Sequence, residues 1–372
     1  PNRVRLLLDQ RPLNEFISPP RFSLETLHRA RHLFRPGDVA LQWDLSAAFY
    51  QASVRPEHRK YLGCTFGNRS FQFACAPMGT ASSPYLWQRL GWVLTRKFRR
   101  LGIRCLWYLD DIIVLCRPEE ASTIADFVEA QLEAHGMTRN PDKSYREPRK
   151  QLLALGIDID LERMTYAIPL EKKAKVLAEI TALRRAAAAR REVSVRDIAR
   201  VCGRLMSMYV VLGLASRVMT RAMYILVAEE TGVPPDCSRR KLRVAWDKTT
   251  RIDSCDALLA ELAFWEAELP GIGPAPIYQI EPAATLVAGT DASDTAWAGL
   301  FDDGSGTQRL ARDGWTPGEG AGPSTLREVK GSLRNLQAFE AALARHRGEH
   351  LLLLTDSQAA CRALEVGSMR PG

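Results

Sequence analysis

Hydrophobic and polar positions alternate weakly from Arg3 to Asp9, which predicts a strand; a loop follows at Arg11–Asn14, and Pro19-Pro20 breaks the chain. VALQWD (39–44) is a short apolar strand ending on an acid. Tyr61–Phe73 carries two strand-like runs around Gly67-Asn68, the pattern of a hairpin. Ser83–Arg100 reads as a helix with Pro84 in its first turn. CLWYLDDIIVL (105–115) divides into strands Cys105–Tyr108 and Ile112–Cys116, with Asp110 and Asp111 at the tip between them. Glu119–His135 places Ile124, Phe127, Val128 and Leu132 on one helical face and stops at Gly136. Leu152–Ile159 reads as one further strand.

After Pro169 the period becomes helical. Glu171–Arg191 is Ala-rich and basic. Ser194-x-x-Asp197 is a helix N-terminus, followed by Ile198, Val201, Cys202, Leu205, Tyr209 and Leu212 at helical spacing. Gly271–Pro282, rich in Pro and Gly, reads as a linker. Beyond it the pattern predicts a strand at Thr285–Thr290, a helix near Leu326–Arg345 and a strand at His350–Thr355.

At 372 residues and 46% hydrophobic, the chain has material for two or three domains. It contains no run of 18 apolar residues, so no transmembrane helix is expected. PNRVRLLLDQ lacks both an initiator Met and the apolar core of a signal peptide, so the expectation is a fragment of an intracellular protein. The eight cysteines form no C-x-x-C pair, which argues for a reducing compartment and against a metal–thiolate site. The net charge of +8 is uneven: Pro169–Arg251 holds 18 Lys/Arg against 8 Asp/Glu, net +10, and the remainder is −2. A basic helical block is either a solvated face or a grip on a polyanion.

Two adjacent carboxylates inside an apolar run need a reason, because a lone buried carboxylate costs several kcal/mol. Taken alone, Asp110-Asp111 is equally an exposed turn or part of a cation site. If the hairpin lies beside the strand ending at Asp44, three acids meet at one sheet edge. Such a cluster suits two Mg²⁺ ions, and the chemistry it suggests is phosphoryl transfer.

WDLSAAFYQ (43–51), FACAPMGTASSP (73–84), YLDD (108–111), GMTRNPDKS (136–144) and LGIDI (155–159) stand in the order of the palm motifs of reverse transcriptases. RVRLLLDQRPLN (3–14) resembles their fingers motif. The first half of the chain thus resembles retroelement polymerases, particularly the DIRS-type group and its long-terminal-repeat and pararetroviral relatives. The resemblance implies metal-ligand roles for Asp44 and Asp110, with Asp111 as the second acid of the pair. It further implies a triphosphate contact at Arg5, a sugar gate at Phe49, nucleotide contacts at Met78 and Gly79, and a pyrophosphate-side Lys143. Met78 stands where retroviral enzymes often carry Gln. Leu155, Gly156 and Ile157 resemble the primer grip.

GTDASDTAWAGLF (289–301), LREVKGSLRNLQAF (326–339) and LLLLTDSQAA (351–360) resemble retroelement ribonuclease H. That resemblance implies a second two-metal site at Asp291, Glu328 and Asp356, and a domain cut short before the family's last active-site position.

The expected fold is α+β: a right-hand polymerase followed by a truncated ribonuclease H-like α/β domain. Fingers and palm are expected over 1–168, a helical thumb and connection over 169–283, and the nuclease over 284–372. Lys172, Lys173, Lys175, Arg184 and Arg185 are the thumb candidates for phosphate contact. The expected function is RNA-directed DNA polymerisation with Mg²⁺, or alternatively Mn²⁺, by the chain of a mobile element. Its expected partners are RNA template, DNA primer, RNA–DNA hybrid and dNTPs, with no membrane. The alternatives are an RNA-directed RNA polymerase and an inactive nucleic-acid-binding relic.

Overall fold

The computed structural model of the chain describes residues 9–232, 246, 248–278, 284–306, 308–346, 349 and 351–366. The chain divides into two compact units, residues 1–211 with 225–278 and residues 212–224 with 279–372.

The first unit contains strands β1 (Val39–Asp44), β2 (Gly63–Phe66), β3 (Arg69–Gln72), β4 (Arg104–Tyr108), β5 (Asp111–Cys116) and β6 (Tyr145–Arg149). Its central sheet has the order β4-β5-β1-β6 and is antiparallel throughout. Leu41, Trp43, Trp107, Ile112 and Val114 join a core with α1 (Ser83–Arg100) and α2 (Ala121–Ala134), which supply Trp87, Leu94, Phe98, Val128 and Leu132. Ala40, Leu106, Ile113 and Leu115 belong to a second core with Leu27, Phe34, Ile157 and Tyr166. The sheet is therefore covered on both faces, which is why the run 105–115 shows no polar alternation. Truncating a fully buried aromatic such as Trp43 or Trp107 to Ala would cost about 3–5 kcal/mol.

Beside this sheet lies a smaller one, in which β7 (Gln151–Ala154), β8 (Ile157–Asp160) and β9 (Thr165–Ala167) are followed by the two-residue strand Ala275–Pro276. Asp38, just ahead of β1, is fully buried and takes two hydrogen bonds from Arg104 on β4. Removing either partner would strand a buried charge at about 3–5 kcal/mol. Three longer helices follow: α3 (Leu170–Ala188), α4 (Val195–Ser207) and α5 (Asp256–Glu268). Ser194 caps α4 by accepting from the Arg196 N–H, as its sequence position predicted.

In the second unit β10 (Leu286–Ala292), β11 (Ala296–Asp302), β12 (Gln308–Gly314) and β13 (Leu351–Thr355) form a sheet of order β12-β11-β10-β13. Only β10 and β13 run parallel among these pairs. Helix α6 (Ser324–Ala338) packs on β10 and β11, and α7 (Gln358–Val366) closes the described chain.

Several expectations need correction. Leu152–Ile159 is a hairpin rather than one strand: Ala154 pairs with Ile157, and Leu155 and Gly156 both take positive φ (49° and 71°), which turns the chain in two residues. Arg11–Asn14 is a helical turn rather than a loop, begun by Pro12 in its first turn. The segment read as a linker is structural as far as Tyr278: Ala275–Pro276 pairs with β9, Ile277 is buried, and the Tyr278 hydroxyl donates to the Phe34 carbonyl. The helix expected over Leu326–Arg345 is interrupted at Phe339, whose ring stacks on Phe301 at 5.3 Å. The strand expected at Arg3–Asp9 lies, up to residue 8, outside the described residues. No described helix is long and apolar enough to cross a membrane.

Candidate active sites

In the first unit the acids gather because of strand register. Asp44 ends β1 directly opposite Asp111, the first residue of β5. Tyr108 pairs with Asp111, so only Leu109 and Asp110 make the turn between β4 and β5. The Asp110 carbonyl accepts from the Leu45 N–H at 2.8 Å, which ties the turn to the end of β1. Asp110 is exposed and Asp111 half-buried. Burial, then the neighbouring Asp110 and Asp44 charges, push the Asp111 carboxyl up to about 6, and Lys143 works against them.

Lys143 Nζ lies 3.7 Å from Asp44 Oδ2. The lysine is carried on a short helical turn capped by the Asn140 side chain. Asn140 N–H in turn donates to the Asp44 carbonyl at 2.7 Å. These residues open onto a cavity of about 490 Å³, lined also by Tyr145 and Arg149. The Arg149 guanidinium sits 3.5 Å from the centre of the Tyr145 ring, a cation–π pair. Three carboxylates at one edge are the ligand type that a hard divalent cation takes, although their oxygens do not all converge within 4.8 Å of one another as those of the second unit do.

The turn itself is held by residues that the sequence did not single out. Leu109 has φ 54°, a left-handed conformation that costs an L-residue about 1–2 kcal/mol. Gln88 of α1, fully buried, accepts from the Leu109 N–H at 2.9 Å and donates to the Trp107 carbonyl at 3.0 Å. The indole N–H groups of Trp87 and Trp107 both donate to the Leu109 carbonyl, at 3.0 and 2.8 Å. The available signal was a Gln on the apolar face of a helix, since a buried carboxamide demands partners.

The remaining polymerase-like candidates fall as follows. Arg5 lies outside the described residues. Phe49 is partly buried and packs against the core beneath β1. Met78 is exposed, and Gly79 has φ 93°. Asn14 brackets this segment, donating to the Gly79 carbonyl and accepting from the Ala81 N–H. Leu155 and Gly156 form the β7–β8 turn, whereas Ile157 is buried in the second core.

Among the basic residues of α3, three are engaged within the unit. Lys172 donates to the Gly156 carbonyl at 3.1 Å, Lys173 donates to the Ile272 carbonyl at 2.7 Å, and Arg184 pairs with Glu266. Burial, then Arg204, lowers the Lys172 pKa. Lys175 and Arg185 are exposed.

In the second unit Thr290 and Thr355 are partners in the parallel pair of β10 and β13, so Asp291 and Asp356 follow at adjacent strand ends. Glu328 comes from the second turn of α6. The helix can approach because residue 331 is Gly: a Cβ there would meet the Ala292 Cβ at 3.1 Å. The Thr290 and Ser332 hydroxyls share a hydrogen bond at 2.9 Å, and the Asn335 amide donates to the Gly289 and Leu300 carbonyls. Carboxylate oxygens of Asp291, Glu328 and Asp356 all lie within 4.8 Å of one another. Glu328 is buried, and its Oε2 has no hydrogen-bond partner. Burial, then Asp356 and Asp291, raise its pKa. An orphaned buried oxygen facing two more carboxylates fits a divalent cation.

Residues 2–159 match the family model described as reverse transcriptase (RNA-dependent DNA polymerase). Protein P of duck hepatitis B virus (strain China) is 30% identical over 148 residues, covering 39% of this chain and 19% of that protein. Protein P of heron hepatitis B virus is 28% identical over 148 residues, with the same shares. The chain spans about a fifth of the length of these curated relatives. Among solved structures, the foamy viral protease-reverse transcriptase in complex with RNA/DNA hybrid aligns with a TM-score of 0.57 at 15% identity, over 99% of this chain and 45% of that one. The same viral protein in complex with dsDNA gives 0.55 at 15% identity, over 97% and 68%. At such identity the likeness concerns the fold.

Proposed function

We propose that this chain, whose residues 2–159 match the reverse transcriptase family and resemble retroelement and pararetroviral polymerases, polymerises DNA on an RNA template from a DNA primer, using dNTPs. The observation that carries this reading is the placement of Asp44 opposite Asp111 with Asp110 in the adjoining turn. Asp44, Asp110 and Asp111 would hold two Mg²⁺ ions, or Mn²⁺, which when bound supply the positive charge that activates a primer hydroxyl and steadies departing pyrophosphate.

The chain's own residues do the rest. Lys143, beside Asp44, is placed to meet negative charge leaving the site and to donate a proton from Nζ. Phe49 is the proposed steric gate for the sugar, with Arg5, Met78 and Gly79 on the nucleotide. Leu155 and Gly156 offer backbone to the primer end, with Ile157 packed beneath them. Fingers and palm over 1–168 and a thumb and connection over 169–283 remain the proposed division. Within the thumb, Lys175 and Arg185 are the stronger phosphate contacts, because Lys172, Lys173 and Arg184 already serve the fold.

For residues 284–372 we propose ribonuclease H-like cleavage of the RNA strand of a hybrid. Its support is the convergence of Asp291, Glu328 and Asp356 and the unpartnered Glu328 oxygen. The deciding experiment for the polymerase reading is Mg²⁺-dependent primer extension with dNTPs on an RNA template. Absence of extension by a folded chain that binds primer–template would reject it in favour of a nucleic-acid-binding relic.

A further inference from the structure

The turn that carries the acidic pair is an unfavourable one for its sequence. A two-residue hairpin with positive φ at its first residue favours Gly there, and this chain has Leu109 at φ 54°. Such a conformation persists where its surroundings over-determine it. Here they do. The Leu109 N–H and carbonyl are both taken by buried side chains, Gln88 on one side and the Trp87 and Trp107 indoles on the other. Gln88 uses its remaining end on the Trp107 carbonyl, so its amide spans the strand end and the turn. Gly91, one helical turn after Gln88, leaves room for this arrangement: a Cβ there would meet the Trp107 indole at 2.8–3.0 Å. None of these side chains belongs to the acidic cluster, yet every atom they hold lies within three residues of Asp110.

We infer that Gln88, aided by the Trp87 and Trp107 indoles, is a positioning residue that locks Leu109 in its left-handed conformation and so aims the Asp110 and Asp111 carboxylates at a shared cation. The inference rests on the polymerase reading for its purpose, but its test does not depend on catalysis. Mn²⁺ is titrated into the whole chain without nucleic acid, in an Asp291→Asn/Asp356→Asn background that silences the second acidic cluster. Gln88→Ala is expected to weaken Mn²⁺ binding about tenfold, the lower end of what loss of an outer-shell partner costs a metal site. Adding Leu109→Gly, which adopts positive φ without help, is expected to restore most of that loss. A purely structural glutamine would lower the melting temperature without this rescue of affinity.

If Gln88→Ala does not fold, Gln88→Met takes its place: it keeps the volume but cannot donate to the Trp107 carbonyl and offers the Leu109 N–H only a weak sulfur acceptor, and a similar loss is expected. Unchanged Mn²⁺ affinity in a folded Gln88 variant, or a loss that Leu109→Gly leaves untouched, overturns the inference. Failure of the parent chain to extend primers would instead count against the polymerase reading, and the Mn²⁺ titration would still decide the role of Gln88.

Discussion

Asp44 and Asp111 form the last pair of the β1–β5 ladder, two carboxylates set directly across from each other. Directly opposed like charges on neighbouring strands are destabilising. The fold therefore carries a local repulsion that a cation would relieve.

The first expected outcome concerns that repulsion. Folding raises the Asp111 carboxyl from 3.8 to about 6, so the folded state binds this proton more tightly than the unfolded one. The stability this contributes is complete below about pH 4 and is lost as pH rises through about 6. In chelator, Asp111→Asn should therefore raise the melting temperature at pH 8 and change it little at pH 4. The group is partly open to solvent, so the gain is discounted to about 1 kcal/mol, or roughly 2–4 °C. Thermal melts at the two pH values check this. An equal effect at both would contradict the assigned cause.

Asp110→Asn should remove primer extension by at least about 10²–10³-fold, the scale on which single electrostatic groups act at transition states. Primer–template affinity should hold within about twofold, because phosphate contacts supply most of it. Extension assays and equilibrium binding separate the two effects. Comparable extension by mutant and parent would dismiss Asp110 as a ligand.

Phe49→Ala should let ribonucleotides in more readily than the parent does. Single-nucleotide incorporation of dNTP against rNTP reads the effect. Phe49 also packs against the core, so a modest drop in melting temperature accompanies it. A fall in stability with sugar preference intact would leave Phe49 as a packing residue.

Lys175→Gln and Arg185→Gln should each weaken primer–template binding and flatten its salt dependence by about one unit of slope. Lys172→Gln should mainly lower stability, because it unties the Gly156 turn from α3. Binding isotherms across salt concentrations, beside thermal melts, distinguish these roles. Equal salt slopes for Lys175→Gln and the parent would count against a phosphate contact.

In the second unit, Asp291→Asn should abolish cleavage of RNA in a hybrid, and Mn²⁺ should stabilise the parent more at pH 8 than at pH 5. Metal binding needs deprotonated carboxylates, and Glu328 holds its proton above the ordinary range. Hybrid cleavage and thermal shift give the two readouts. Cleavage that survives Asp291→Asn would exclude this triad.

The hairpin around the acids was legible from the apolar runs on either side in CLWYLDDIIVL, but its tip was read one residue late: Leu109 and Asp110 make the turn, and Asp111 already belongs to β5. Gln88 was not legible, since a single polar residue on a helix acquires meaning only when its partners in another strand are known. The Leu155-Gly156 turn was hidden because Leu is a poor advertisement for positive φ, and the run around it continues apolar. Strands β11 and β12 went unread for a different reason. β12 alternates only between exposed and half-buried positions and buries no side chain; it is held by backbone pairing with β11 and by Gln308 and Arg309, which reach Asp302 and Asp303.

The parallel pairing of β10 with β13 has a consequence in time. Residues 286–290 leave the ribosome well before residues 351–355, at about 5–20 residues per second. Until the later strand docks, Asp356 is absent from the cluster and Asp291 with Glu328 is an incomplete pair. A nascent chain thus carries a finished β1–β5 ladder for seconds before the second acidic centre can exist.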